Sequence, residues 1–233
     1  MSTEVQQTEI VDWFDKMYAR RGEFYLRPVK AYYIFLTLVN AQKGNALLDV
    51  ACGLGRLLEA AKEYDCQLTG IDISSVAIEK AKKKLPEAKL SVENAENLPF
   101  ENGHFDLITC LGSLERMIDL DKVLGELHRV GKKEARYCLL VRNSNTASWK
   151  YIKQGLGLKN EKGHQGANSL EGWSEIFIKS GFKVQEVWPD QYPIFKRQRL
   201  RSLGLKKIDY KTPVRTNAPL ENANEFIFIL NKS

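Results

Sequence analysis

Residues 47–58 read LLDVACGLGRLL. Two leucines, an acid and a valine run into a turn holding Gly53 and Gly55, and a leucine-rich segment follows. A buried parallel strand handing over to its crossover helix has this form: an apolar run, glycines, then a helical pattern. In an open parallel sheet the ligand lies beyond the carboxyl ends of the strands, where glycine lets the backbone come close to it.

Working outward, ALLDV (46–50) is the first of seven strand-like runs. QLTGIDI (67–73), KLSVE (89–93), FDLITCL (105–111), ARYCLLV (135–141), FKVQEV (182–187) and EFIFIL (225–230) follow. The first five are continuously apolar, as expected of strands covered on both faces. Between them lie helical patterns. SSVAIEKAKKKL opens on a serine able to cap and sets Ile78, Ala81 and Leu85 on one face. DLDKVLGELHRV (119–130) and SLEGWSEIFIKSGF (169–182) repeat the pattern, the second ending at Gly181, where a C-cap is expected. The alternation predicts a doubly wound α/β sheet. Before it, TEIVDWFDKMYARR places Ile10, Phe14 and Tyr18 at helical spacing, and Pro28 opens a second helix. Most of these aromatics serve packing. Tyr18 and Tyr25 are the candidates for covering a ligand, because an appended helical pair has no other need for so many rings.

A chain of 233 residues, 43% hydrophobic and 27% charged, can bury a substantial core. The start MSTEVQQTEI lacks the pattern of a signal peptide, and the apolar run at 31–39 is too short to span a bilayer, so a cytoplasmic location is expected. Cys52, Cys66, Cys110 and Cys138 are widely spaced beside apolar runs and read as reduced thiols, with no metal site. Of the net +6, residues 189–224 carry +5: eight lysines and arginines against Asp190, Asp209 and Glu221. That segment reads either as a solvated loop or as a site attracting an acidic partner.

Two ligand classes compete for the glycine turn. A dinucleotide needs G-x-G-x-x-G, and the third glycine position is Leu58. It would also set a pyrophosphate against Asp49. A cationic ligand reverses that sign. S-adenosylmethionine carries a sulfonium and an amino group, which an acid at the end of the first strand can help hold. Asp72 closes the second strand 23 residues after Asp49, where a carboxylate can accept both ribose hydroxyls. Asn94, Ala95 and Glu96 follow the third strand, where a polar side chain and a backbone N–H can read the adenine edge.

With LLDVACGLGR, GIDIS (70–74), NAENLPFENGHFDLI and, more loosely, ELHRVGKK (126–133) in this order, the chain resembles the class I S-adenosylmethionine-dependent methyltransferases. The resemblance is to the small-molecule branch that includes ubiquinone and menaquinone biosynthesis enzymes, and it covers about residues 45–145. It implies a Rossmann-like seven-stranded sheet, mostly parallel with the last strand antiparallel. The methyltransferase domain would occupy 43–233, behind an N-terminal helical cap at 1–42 and with the basic 189–224 inserted between the last two strands. Asp49, Gly53 and Gly55 would hold the methionine end and Asp72 the ribose. Ile73 and Ala95 would flank the adenine, and Leu111 would border the sulfonium. Cys52 lies in the same cofactor-binding turn. Ala51 replaces a usual glycine, tolerable at negative φ. Asn94 replaces a usual aspartate, and its amide can still accept from the adenine amino group. Glu115–Arg116 stand where the branch often has histidines.

Methyl transfer from a sulfonium needs alignment, dryness and, for an N–H or O–H nucleophile, a base. His164, in the Gly-His pair of NEKGHQG, is one candidate base, and Glu115, expected to face the cleft entrance, is the other. His104 and His128 read as structural. The turn after the fourth strand, CLGSLE, lacks the proline motif of enzymes that grip a flipped base, which argues against nucleic acid. The expected acceptor is a small molecule, free or lipid- or sugar-linked, methylated at O or N before C, by a monomer or homodimer with room for peripheral membrane contact. An RNA methyltransferase or a non-catalytic cofactor-binding regulator is the alternative. Residues 189–224 are expected to form part of the acceptor site.

Overall fold

Successive residues of 47–50, the strand part of the stretch, point to opposite sides of a sheet. The computed structural model describes residues 3–21, 26–146, 166–202, 204, 207–215 and 217–233. In it Leu47 packs with Phe35, Leu36, Leu57 and Leu58 on one face of strand β1 (Ala46–Val50). Leu48 and Val50 pack with Ile108, Leu124 and Trp173 on the other. Burial on both faces is why the run is continuously apolar.

The strands β2 (Gln67–Asp72), β3 (Lys89–Val92), β4 (Phe105–Leu111), β5 (Gly131–Arg142), β6 (Phe182–Pro189) and β7 (Glu225–Lys232) complete one seven-stranded sheet in the order β3-β2-β1-β4-β5-β7-β6. The pairs from β3 through β5 are parallel, and β7 runs antiparallel between β5 and β6. The register sets Asp49 beside both Gly70 of β2 and Thr109 of β4. β5 begins at Gly131 rather than at the expected residue 135. The pairing slips between Phe105↔Gly131 and Leu107↔Arg136, so the exposed Lys132–Glu134 form a bulge at the strand's start.

The crossovers are α3 (Arg56–Ala61), α4 (Ser75–Lys84), α5 (Leu120–Val130) and α6 (Leu170–Lys179), preceded by α1 (Thr3–Arg21) and α2 (Tyr33–Leu38). The caps are those the sequence offers. Ser74 accepts from the Ala77 N–H, Asp119 from Lys122 and Ser169 from Gly172, each at 3.1 Å. Gly181 stops α6 at φ +85°. No helix among the described residues is long and apolar enough to cross a membrane.

Two features bear on the site. Helix α1 lies against α4 and the glycine turn: Tyr18 packs on Leu54 and Ala77, the Lys80 ammonium donates to the Tyr18 carbonyl at 2.6 Å, and Asp15 accepts from the Ser74 hydroxyl. The basic segment folds down as α7 (Tyr192–Arg201) and a following loop. Phe195 is fully buried 5.0 Å from the Tyr210 ring, and the Arg215 guanidinium stacks 4.0 Å above Trp188. Arg27 fastens both ends of that segment. Its guanidinium donates to Asp190 at 2.6 and 2.8 Å and to Glu225 at 2.9 Å.

Candidate active site

Past Val50 the chain turns through three left-handed residues, Ala51 at φ +58°, Gly53 at +53° and Gly55 at +74°. Two of the three need glycine for space as well. A Cβ on Gly53 would meet the Tyr18 hydroxyl at 2.7 Å, and one on Gly55 would meet a Leu85 methyl at 2.7 Å. Ala51 departs from expectation. It was tolerable at negative φ, yet it holds positive φ, a strain of about 1 kcal/mol for a residue with a Cβ. Ala51→Gly should therefore raise unfolding stability by about 1 kcal/mol without weakening ligand binding. A thermal melt of the variant checks this, and a lower midpoint would contradict it.

The turn is tied to the second strand by one carboxylate. Asp72 accepts from the Gly53 N–H at 2.8 Å and from the Ser74 N–H at 2.9 Å, one bond to each oxygen. A carboxylate offers about four acceptor positions, so each oxygen keeps one for a ligand. Asp49 is buried beside it and accepts from the Thr109 hydroxyl at 2.6 Å. Burial pushes Asp49 up to about 7, with Thr109 opposing and the charge of Asp72 adding to the rise. Burial likewise raises Asp72 to about 6 against its backbone hydrogen bonds. Neither acid has a cation partner among the described residues.

Two clefts open at this end of the sheet. The first, about 600 Å³, is lined by Asp72, Ile73, Asn94, Ala95 and Glu96 beneath Phe14 of α1. The second, about 730 Å³, is lined by Asp49, Cys52, Gly53, Arg56 and Leu111. Phe14, Tyr18, Ala51, Ser113 and Arg116 border both, so the clefts meet under α1. Asp49 and Asp72 beside apolar walls suit a cation with an aromatic base and oppose a pyrophosphate at the glycine turn itself, while Arg56 and Arg116 stand elsewhere on the lining. Leu58, where a dinucleotide site wants its third glycine, is fully buried in the core.

The residues read from the sequence largely converge here. Gly55 lines neither cleft and instead shapes the turn as the residue before α3. Asn94 spends one acceptor position on the Glu96 N–H at 2.9 Å, and the Glu96 carboxylate accepts from the Asp119 N–H at 3.2 Å, which fixes the loop under the first cleft. Glu115 does not face the entrance. Its side chain is 0% exposed, 3.9 Å from Arg142, and lines neither cleft. Tyr25 and His164 lie outside the described residues. The basic segment also lies elsewhere: none of its described residues lines either cleft, and Arg199, Lys207 and Lys211 border a separate groove with Tyr33. Three residues went unassigned in the sequence. Phe14 was visible only as half of an i, i+4 aromatic pair, Thr109 as one polar residue in an apolar strand, and Arg116 as a departure from the family pattern.

Comparison with known proteins agrees with this geometry. A family model described as a methyltransferase domain matches residues 48–139. A demethylmenaquinone methyltransferase of Thermotoga maritima is 38% identical over 105 residues, 44% of each chain, so this chain spans less than half of that relative. An uncharacterised methyltransferase of Synechocystis sp. is 32% identical over 146 residues, 60% of this chain and 68% of the relative. Among solved structures, the geranyl diphosphate C-methyltransferase of Streptomyces coelicolor A3(2) superposes over 100% of both chains with a TM-score of 0.69 at 13% identity, a likeness of fold.

Proposed function

Because the chain belongs to the class I S-adenosylmethionine-dependent methyltransferases, we propose that it transfers a methyl group from that donor to a small-molecule acceptor. The acceptor atom is an oxygen or nitrogen before a carbon, and the acceptor is free or linked to a lipid or sugar. The observation that carries this reading is the pair of joined clefts, each walled by a buried acid that has no cation partner among the described residues. Relatives named for small-molecule methylation support the acceptor class.

When bound, the cofactor supplies a methyl group already activated by a sulfonium. The chain's part is alignment and exclusion of water. Asp72, held by two backbone N–H groups, would bind the ribose hydroxyls. Asn94 and Ala95 would border the adenine, and Asp49 would face the positive end of the donor. Helix α1 acts as the cap, because Phe14 and Tyr18 cover the junction. With Glu115 turned to Arg142, His164 is the proposed base.

Asp49 must be ionised to attract a cationic donor. With its pKa near 7, affinity for S-adenosylmethionine should be about tenfold weaker at pH 6 than at pH 8, and binding at pH 7 should release protons. Calorimetry in buffers of different ionisation enthalpy reads both, and a flat profile would contradict the assignment. The same shift works against the empty fold. A carboxylate whose pKa rises on folding contributes stability that is fully present below its unfolded value, about 4. That contribution is lost as the pH climbs through 7.

The function is tested by transfer of labelled methyl from S-adenosylmethionine into cell extract, separated into organic-soluble, small polar, protein and RNA fractions, with Asp72→Ala as control. Label in a small-molecule fraction with the intact protein alone supports the reading. Label in RNA alone would replace it.

A further inference from the structure

Among the described residues, the one cation that borders both clefts is Arg116. It closes a short 3₁₀ turn, Leu114–Arg116, that follows β4 through Gly112 at φ +70°. Its guanidinium lies 5.9 Å from the Trp13 ring centroid and 5.7 Å from that of Phe14, so α1 covers it with aromatic faces. Nη1 is shielded from solvent and has no hydrogen-bond partner among the described residues. The carboxylate next in the chain, Glu115, is the one that sits 3.9 Å from Arg142. Burial lowers the Arg116 pKa, with Glu115 opposing and Arg142 adding to the fall.

Arg116 is half-buried, and a shielded guanidinium nitrogen with an idle N–H is costly unless something anionic completes it. The aromatic faces compensate only part of that charge. The position decides which anion. On the methyltransferase reading, on which this inference rests, the nucleoside occupies the first cleft and the amino acid the second, so their junction is where the methyl group departs. Two positive charges, guanidinium and sulfonium, then border one small space, an arrangement that an anion between them stabilises. The cofactor's own carboxylate lies at the far end of the methionine, in the second cleft, which has a cation of its own in Arg56, paired with Glu59 at 3.2 Å.

We propose that Arg116 anchors an oxyanion of the acceptor, a carboxylate or phosphate, so that the enzyme selects anionic acceptors. A guanidinium fork matches either group with paired hydrogen bonds. The rings of Trp13 and Phe14 beside it accommodate an apolar or aromatic body.

The test uses the full chain saturated with S-adenosylhomocysteine and titrated calorimetrically with benzoate, phenyl phosphate and the uncharged isostere benzamide. The wild-type protein should bind at least one of the two anions about tenfold or more tighter than benzamide. Whichever anion is preferred identifies the group as carboxylate or phosphate. Arg116→Met and Arg116→Gln should erase the preference while changing S-adenosylhomocysteine affinity less than about threefold, which also shows that the variants are folded. Arg116→Lys, which keeps the charge and loses the fork, should restore it in part. A preference that survives Arg116→Met, or a wild-type protein that shows none, overturns the proposal. So does a collapse of S-adenosylhomocysteine affinity in Arg116→Met with the fold intact, which would give the residue to the cofactor. Failure of the wild-type protein to bind S-adenosylhomocysteine would sink the methyltransferase reading itself, whereas cofactor binding without anion selectivity sinks this inference alone.

Discussion

Alanine in place of Asp72 should weaken S-adenosylhomocysteine binding at least about a hundredfold, which is roughly 3 kcal/mol. Hydrogen bonds to a charged group contribute about 1.5–3 kcal/mol each, and this carboxylate makes two to backbone before any ligand arrives. Its loss strands the Gly53 N–H in the glycine turn and the Ser74 N–H at the start of α4. Ser74 also bonds Asp15 of α1, so the floor and cover of the first cleft loosen together. Asp72→Asn should be nearly as damaging. One end of the amide must then present its own N–H groups to a backbone donor. Thermal stability of the empty protein should change far less than affinity, because removing a buried acid whose pKa is raised to about 6 relieves desolvation near neutral pH. Calorimetric affinities for both variants decide the matter, and a loss under threefold would remove Asp72 from the site.

Arg27→Met should destabilise the fold by about 3 kcal/mol. The guanidinium is 19% exposed, and it bridges Asp190 and Glu225, which are 7% and 23% exposed. Without it two shielded carboxylates face each other, and Glu225 is already held up by burial. Without the Arg27 charge that opposes its burial, Glu225 titrates still further upward in the folded protein. The defect should therefore be smallest at mildly acidic pH and grow as the pH rises towards neutrality. Asp190 and Glu225 are the two ends from which the basic segment springs, so amide exchange in Tyr192–Arg201 should accelerate. S-adenosylhomocysteine affinity should hold, because none of the segment's described residues lines a cleft. Denaturant melts at pH 5.5 and pH 8 read the first effect, and a loss below 1 kcal/mol at both would show the bridge to be idle.

What could be read from the sequence follows from which constraints are local. Strands buried on both faces announce themselves as apolar runs, so six of the seven starts and the caps at Ser74, Asp119 and Ser169 were legible. The exception, the start of β5, depends on a bulge that only the partner strand defines. Asp49, Asp72 and the loop Asn94–Glu96 were legible because each closes or follows a strand at the same edge. The positive φ of Ala51 was not, since residue type alone argues against it. Glu115 and Arg116 are neighbours in sequence, yet the 3₁₀ turn sends one side chain into the protein and the other to the clefts, and no periodicity signals that choice. The basic segment carried a strong charge signal, but charge does not say where a chain folds back. Phe195, Trp188 and Arg27 direct it to the face that holds α2, away from the glycine turn.

The most direct test of the central claim is one titration series at pH 8, with S-adenosylmethionine, S-adenosylhomocysteine and NAD added separately to the purified wild-type chain. The two buried acids and the joined clefts predict saturable binding of both adenosyl ligands at one site per chain, and no binding of NAD. Binding of NAD with no response to either adenosyl ligand would mean that a pyrophosphate, and not a sulfonium donor, belongs on the glycine turn.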